Sequence, residues 1–440
     1  MFLYNLGYRW NVPSNTQLQG VIVNAAGVDR ESALRREARE NFPRTVLFDP
    51  QLYLAGLDVE VSSKTCARLS TYPFFPVEVT EFDSSSQSVR DWMKKVSSEV
   101  AESWPPQLPT EDEQIRSIIS SAIRFQITFE ASDIILPMPL LEAPDFDFSL
   151  LTRWMDIGHS VFSELSGDLR NGQIPLITIP LSDQLLHASP PSANSVLQGI
   201  IDHLTARSEI RGVYLVIGRG LDSHDRITSA NVALSVFHMA HVLGIVRGLR
   251  VLVNFAEQLG LFALSAGAAA FGSGYETKAQ RCCLMDFVER GGGGGFPRFY
   301  SLATLCDYLP ERDMVQKFVP KRLLHILASD EQPASAHLFS ALRTGAPQQR
   351  VPPDWAEVVN NIQAAQTHYI QLITAATDEL NGLATHPEKV QRALAWLQRA
   401  EQNATYLNTR FEGDPLSDTG AHVGAWRQAF EQYIEEFHLI

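Results

Sequence analysis

Along most of the chain, short runs of consecutive apolar and β-branched residues alternate with stretches whose apolar positions recur every three or four residues. Continuous apolar runs fit strands buried on both faces, and the 3.6-residue period fits the helices that cover them. The first strand this pattern gives is Val21–Asn24, and DRESALRREARE from Asp29 reads as the next helix. Its acidic first turn suits the positive end of a helix. Thr45–Asp49 is the following strand. An irregular stretch over 50–88 precedes helices at Val89–Ser103 and Glu111–Phe125. The proline-rich WPPQLPTEDE separates those two helices, and its Thr110 and Glu113 have capping-box spacing.

From Asp133 the alternation is regular. Strands are predicted at Asp133–Leu136, Pro175–Ile179, Gly212–Ile217, Arg250–Asn254 and Ala268–Phe271. The helices between and after them fall at Phe148–Leu165, Asn194–Ala206, Ser229–Gly244, a short segment ending at Leu264, and Lys278–Val288. A weaker eighth strand, Arg298–Ser301, follows the glycine run Gly291–Gly295, which reads as a loop near the barrel mouth. Eight βα units close a barrel, so the expected fold is α/β, a (β/α)8 TIM-type barrel over 1–305 with an insertion after strand 2, at about 50–130. An open doubly wound sheet is the alternative. The small-residue phrase at 261–275 favours the barrel, because the loops of late strands approach a ligand closely. From 306 to 440 the pattern is helical, near Val315–Leu327, Ala334–Leu342, Asp354–Leu380, Pro387–Leu407 and Ala425–Phe437, and predicts a C-terminal α-helical domain; 343–353 reads as an internal linker.

Charge narrows the range of partners. The chain carries 36 Lys and Arg against 50 Asp and Glu, a formal net charge of −14. That balance argues against unspecific nucleic-acid binding, which needs clustered cations. Residues 351–440 hold twelve acidic and five basic side chains, so the C-terminal helices form an acidic surface suited to a protein partner. The four cysteines (Cys66, Cys282, Cys283 and Cys306) form no C-x-x-C pair and read as reduced thiols. MFLYNLGYRWN has no leader pattern, and no run reaches the roughly 20 apolar residues of a membrane helix. A cytoplasmic protein without membrane contact is expected.

In a barrel, chemistry sits where the strands end. The predicted strand exits present Asn24; Asp49 with Gln51 and Tyr53; Pro137 with Glu142; Ser182 and Asp183; Arg219 with Asp222, His224 and Asp225; Asn254 and Glu257; and Gly272-Ser273-Gly274 with Tyr275, Glu276 and Lys278. Asp49 and Glu257 form a candidate carboxylate pair for acid–base or nucleophilic work, with Arg219 as the clamp for an anion or transition state. The Gly-Ser-Gly turn offers backbone N–H groups to a phosphate, with Lys278 and Arg281 adding charge. Ser182 and Asp183 fit equally as turn caps, and His238 and His241 as packing residues on one helix. No G-x-S-x-G, H-E-x-x-H, P-loop or dinucleotide motif is present, so no metal or cofactor is expected.

Two segments resemble the tRNA-guanine transglycosylase superfamily of barrels, which exchange bases at a glycosidic bond. Phe48–Gly56 falls where that family carries an acid–base Asp after an early strand, and Phe271–Glu276 where it carries a nucleophilic Asp on a late one. The resemblance implies Asp49 as the acid–base residue. It departs at Gly272, which stands in the nucleophile's place and leaves Glu276 as a substitute. The family's Gly-Gly after the early Asp is missing, and its zinc cluster of cysteines and a histidine has no counterpart, though His368 falls on a C-terminal helix. The resemblance implies at most a divergent relative, with its reaction altered or lost. Two functions follow: an enzyme or binding protein for a nucleoside-like or phosphorylated ligand at the C-terminal face of the barrel, or an inactive barrel serving as scaffold or sensor in a multi-protein assembly such as a defence or nucleic-acid-processing complex.

Overall fold

The structure, a computed structural model, describes all residues except 7–15, 36–40, 142–147, 171, 221–225, 289–294 and 345–350. The chain opens on strands Phe2–Leu6 (β1) and Gly20–Asn24 (β2), then a short helix Arg30–Leu34 (α1) and strand Thr45–Asp49 (β3). Three helices follow: Val59–Ser70 (α2), Val89–Ser103 (α3) and Asp112–Phe129 (α4). Strand and helix then alternate through Ile134–Leu136 (β4), Phe148–Glu164 (α5), Pro175–Ser182 (β5), Asp183–His187 (α6), Ser195–Thr205 (α7), Gly212–Arg219 (β6), Ala230–Met239 (α8), Arg250–Asn254 (β7), Leu259–Ala266 (α9) and Ala270–Ser273 (β8).

These eight strands are parallel and pair in the order β3-β2-β1-β8-β7-β6-β5-β4. The sheet curls into a nearly closed TIM-type barrel. At its seam Val46 N–H donates to Ser132 Oγ (2.9 Å) and Ser132 N–H donates to Val46 O (2.7 Å), so a loop residue beside β4 stands in for the missing ladder. Every residue of β1, β2, β4, β5, β6 and β8 is buried, as strands under a helical shell require.

The strand count shifts by one from the sequence expectation. FLYNL is the first strand, although Asn5 interrupts its apolar run. Phe299–Ser301 (β10) instead pairs antiparallel with Cys306–Tyr308 (β11), in a separate ribbon. The insertion therefore follows the third barrel strand. Lys278–Val288 is also not one helix: a single turn, Thr277–Gln280 (α10), gives way to Cys282–Cys283 (β9), which pairs with the end of β6. The predicted cap at Thr110 is absent; Glu111 precedes α4 and makes no side-chain cap bond.

After the ribbon come Ala336–Arg343 (α11), Gln363–Asn381 (α12), His386–Arg410 (α13) and Ala421–Phe437 (α14). Asp354 lies in a single turn before α12, and Pro310–Phe318 forms a wide helical turn where a longer helix was expected. These elements pack on the barrel. Tyr369 of α12 donates to Ser273 Oγ (2.8 Å), Gln366 donates to Tyr4 Oη (2.6 Å), and Trp426 of α14 donates to Ile227 O (2.7 Å). Phe430 of α14 meets Phe237 of α8 edge to face at 5.2 Å. His368 is buried against Phe299, with Nε2 2.8 Å from Tyr300 O, and anchors α12 to the ribbon. All four cysteines are free and buried. Among the described residues no helix is long and apolar enough to cross a membrane.

Candidate functional site

A polar layer crosses the barrel interior near the strand ends. Asn5 of β1 donates to Asn254 Oδ1 of β7 (2.8 Å) and to Ala279 O (2.8 Å). Asn254 in turn donates to Asp49 of β3 (3.3 Å), and Tyr214 of β6 gives Asp49 its hydroxyl proton at 2.7 Å. Tyr53 donates to the same carboxylate oxygen at 2.6 Å, and the Gln51 N–H donates to the other at 3.0 Å. Asp49 is wholly buried, and burial pushes its carboxyl up to about 6 even though four donors favour the charged form. The layer as a whole, with Asn5 joined through Asn254, ties β1, β3, β6 and β7 together and is buried.

The second charged group lies at the mouth itself. Arg219 ends β6, and its Nη1 donates to Glu257 Oε1 at 3.1 Å while its Nε stands 3.9 Å from Asp183 Oδ2. Asp183 is held in turn by the Gly220 N–H, at 3.0 and 3.1 Å to its two oxygens. Ser182 caps the turn that carries Asp183, accepting from Gln184 N–H. The Arg219 and Glu257 side chains are 2 % and 5 % exposed, so this is a dehydrated ion pair. The backbone that presents Glu257 is unusual. Phe255 and Glu257 both have left-handed φ, 54° and 50°, as does Gln51 (53°) at the exit of β3. Non-glycine residues in that region cost free energy, and such strain gathers at binding and catalytic sites.

Glu257 Oε2 is buried and has no hydrogen-bond partner among the described residues. Burial raises this carboxyl above its ordinary value, against the opposing pull of Arg219, Arg226 and Arg281. The group borders a cavity of about 940 Å³ that opens over the barrel mouth. Among the described residues the cavity wall carries six Lys or Arg and five Asp or Glu side chains, a slight positive balance in a strongly acidic chain. Arg226 pairs with Asp307 (3.1 Å) and Asp418 (3.4 Å), Arg281 with Asp286 (2.8 Å), and Arg298 also with Asp307. Arg226 thus bolts a barrel loop to the ribbon and to the segment before α14. His422 on α14 also borders the cavity; burial and the nearby Arg226 keep its pKa well below the usual value, so it stays neutral.

The remaining sequence candidates divide. Glu257, Tyr275, Glu276 and Lys278 border the large cavity. Asn24 and Gln51 line an adjoining recess of about 20 Å³, room for one water, which also touches Glu276 and Lys278. Asn24 Oδ1 there is buried without a partner among the described residues. Asp49, Tyr53 and Asn254 lie in the sealed layer, below the cavity. Asp49 and Glu257 share no hydrogen bond, and only Glu257 borders the cavity.

Gly272, Ser273 and Gly274 form a packed strand end. A Cβ at Gly272 would fall 2.1 Å from Asn254 Oδ1, and one at Gly274 would fall 2.4 Å from the Ala279 side chain. Both glycines therefore serve close approach. Gly272→Ala is expected to cost about 1–3 kcal/mol by overpacking, read as a lower urea midpoint at unchanged slope. An unchanged midpoint would contradict this packing. Glu142, Asp222, His224, Asp225 and glycines 291–294 lie outside the described residues.

Sequence reasoning missed Lys64 and Arg68 on α2, Arg226, Arg298, Asp307, Asp418 and His422. Apart from Arg226, in the loop after β6, they come from the insertion, the ribbon and the C-terminal part, which no periodicity ties to a barrel mouth. The one signal was the charge run that ends at Arg226. Among the described residues no group of three or more His, Cys, Asp or Glu is placed to hold a metal ion. No family model, no curated protein and no solved structure matches this chain, so its function is read from the fold and the site geometry alone.

Proposed function

We propose that this barrel takes a nucleoside-like or phosphorylated small molecule into the cavity over its mouth, and that Glu257 exchanges a proton with it. The observation that carries this reading is the Glu257 carboxylate: dehydrated, fixed on one oxygen by Arg219, unpartnered on the other, and bordering a cavity of ligand size. A carboxylate with a raised pKa is suited to general acid–base work near neutral pH, and a large polar cavity beside one is where such work is done. Arg219 sets the orientation of the carboxylate, and Asp183 balances the remaining charge. Chemistry at a glycosidic bond, the type the transglycosylase resemblance implies, would here run on Glu257 and not on Asp49, whose oxygens are already filled by donors.

The same geometry bears on the scaffold alternative. Ser417, Asp418, Ala421 and His422 from the acidic C-terminal part border the cavity. That part completes the ligand site, which favours ligand binding over a free-standing partner surface. The test is a thermal-shift screen of nucleosides, nucleotides and sugar phosphates against the wild type and Glu257→Gln. The expected result is a compound that raises the melting temperature of the wild type and not that of the variant. Equal shifts in both proteins would overturn the role of Glu257.

A further inference from the structure

One cavity residue, Phe296, is apolar, aromatic and 43 % exposed, an unusual place for a phenyl ring on a wall otherwise rich in charge. Its backbone is fixed. Tyr275 Oη donates to Phe296 O (3.3 Å) and accepts from Arg298 N–H (2.9 Å), so one buried phenol clamps the segment from both sides of Pro297. Asn360 N–H donates to Gly295 O (3.0 Å) and holds the preceding residue. The ring is thus offered to the cavity from a rigid support. Rigid support lowers the entropy cost of stacking a flat group on it.

A second feature borders the same cavity. Lys64 and Arg68 are one helical turn apart on α2 and both border the cavity. Lys278, its ammonium 5.5 Å above the Phe287 ring, and Arg281 border it as well. Among the described residues this group counts four cationic side chains, Lys64, Arg68, Lys278 and Arg281, against two acidic ones, Glu276 and Asp286. An aromatic ring and a group of cations bordering one cavity are the chemistry that holds a nucleobase and a phosphate together.

Resting on the reading of the cavity as a ligand site, we infer that the ligand is a nucleotide. Its base stacks on Phe296, its phosphate lies against Lys64 and Arg68, and a hydroxyl or ring N–H of the ligand donates to the unpartnered oxygen of Glu257. No covalent step is part of this inference.

The experiment is calorimetric titration of the full chain with nucleoside 5′-monophosphates of all four common bases, with the matching nucleosides, and with ribose 5-phosphate. The proteins are the wild type, Phe296→Ala, Phe296→Trp and the double variant Lys64→Glu with Arg68→Glu. Phe296 is exposed, so its replacement leaves the core intact. The expected result is that at least one monophosphate binds, that Phe296→Ala weakens it about tenfold or more, and that Phe296→Trp restores it. The double charge reversal weakens the monophosphate while leaving its nucleoside unchanged. Ribose 5-phosphate binding as tightly as the nucleotides, with Phe296→Ala without effect, would overturn the stacking and leave the cavity reading standing. So would the absence of nucleotide binding where another compound gives a Glu257-dependent thermal shift. The absence of any Glu257-dependent ligand would take both readings down together.

Discussion

Replacing Arg219 by Met is expected to lower stability by about 3–5 kcal/mol, the usual cost of breaking a buried ion pair from one side. Arg219 is the cation between Glu257 and Asp183, and both carboxylates are buried. Without it, two buried carboxylates lose the cation they share. The loss follows from the stranded partners more than from the lost attraction. The double variant Arg219→Met with Glu257→Gln is therefore expected to recover a good part of it, because the carboxamide carries no charge to strand. Urea unfolding of the single and double variants reads both numbers. A single variant within 1 kcal/mol of the wild type would mean that water reaches the pair, and the description of Glu257 as dehydrated would fall with it.

Asp49→Asn is expected to remove a pH dependence of about 3 kcal/mol between pH 4 and 6.5. The folded protein holds the Asp49 proton up to about pH 6, while an unfolded aspartate releases it near 3.8. In that window the native state binds more protons than the unfolded state. The contribution of Asp49 to stability is accordingly full below the unfolded pKa and is lost as pH rises through the folded one. Other groups titrate across the same range. His241, held neutral by burial and by the neighbouring His386 and His238, has its pKa pushed down to about 4 and works in the opposite direction, losing stability in acid. The quantity to read is therefore the difference between wild type and Asp49→Asn, from urea unfolding at several pH values. Relative to the variant, the wild type should lose stability as pH rises. A flat difference would show that Asp49 ionises as an exposed carboxylate does, contrary to a sealed layer. The asparagine fits because the Tyr53 and Tyr214 hydroxyls can turn to accept as well as donate.

The barrel was legible because its strands are buried along all or most of their length, and such burial writes apolar runs such as Leu215–Ile217 and Val251–Val253 into the sequence. β1 escaped for a physical reason. Asn5 sits in the interior layer and breaks the run, and its value is visible only once Asn254 is known to face it. Phe299–Ser301 misled in the opposite way. Its burial comes from His368, Phe339 and Trp355 rather than from barrel helices, and apolar character alone does not say which neighbours supply it.

At the site, the rule that chemistry lies at strand exits found Arg219, the last residue of β6, and Glu257, in the loop after β7. It put Asp49 forward with Arg219 and named Glu257 as the partner of Asp49 in a carboxylate pair. Position along the strand separates the two, because Asp49 is the last residue of its strand and still within the barrel, whereas Glu257 lies three residues beyond β7 on left-handed backbone. The group of cations and Phe296 were out of reach. They depend on where the insertion and the ribbon fold over the mouth, which is long-range packing with no local pattern.

The central claim is that the cavity at the barrel mouth holds a small molecule through Glu257. Native mass spectrometry tests it most directly. Wild-type chain and Glu257→Gln are each mixed with the small-molecule fraction of a cell extract, desalted, and weighed before and after mild denaturation. The account predicts a stoichiometric added mass on the wild type, released on denaturation and absent or much reduced on the variant. A bare wild-type chain, or the same added mass on both proteins, would contradict it.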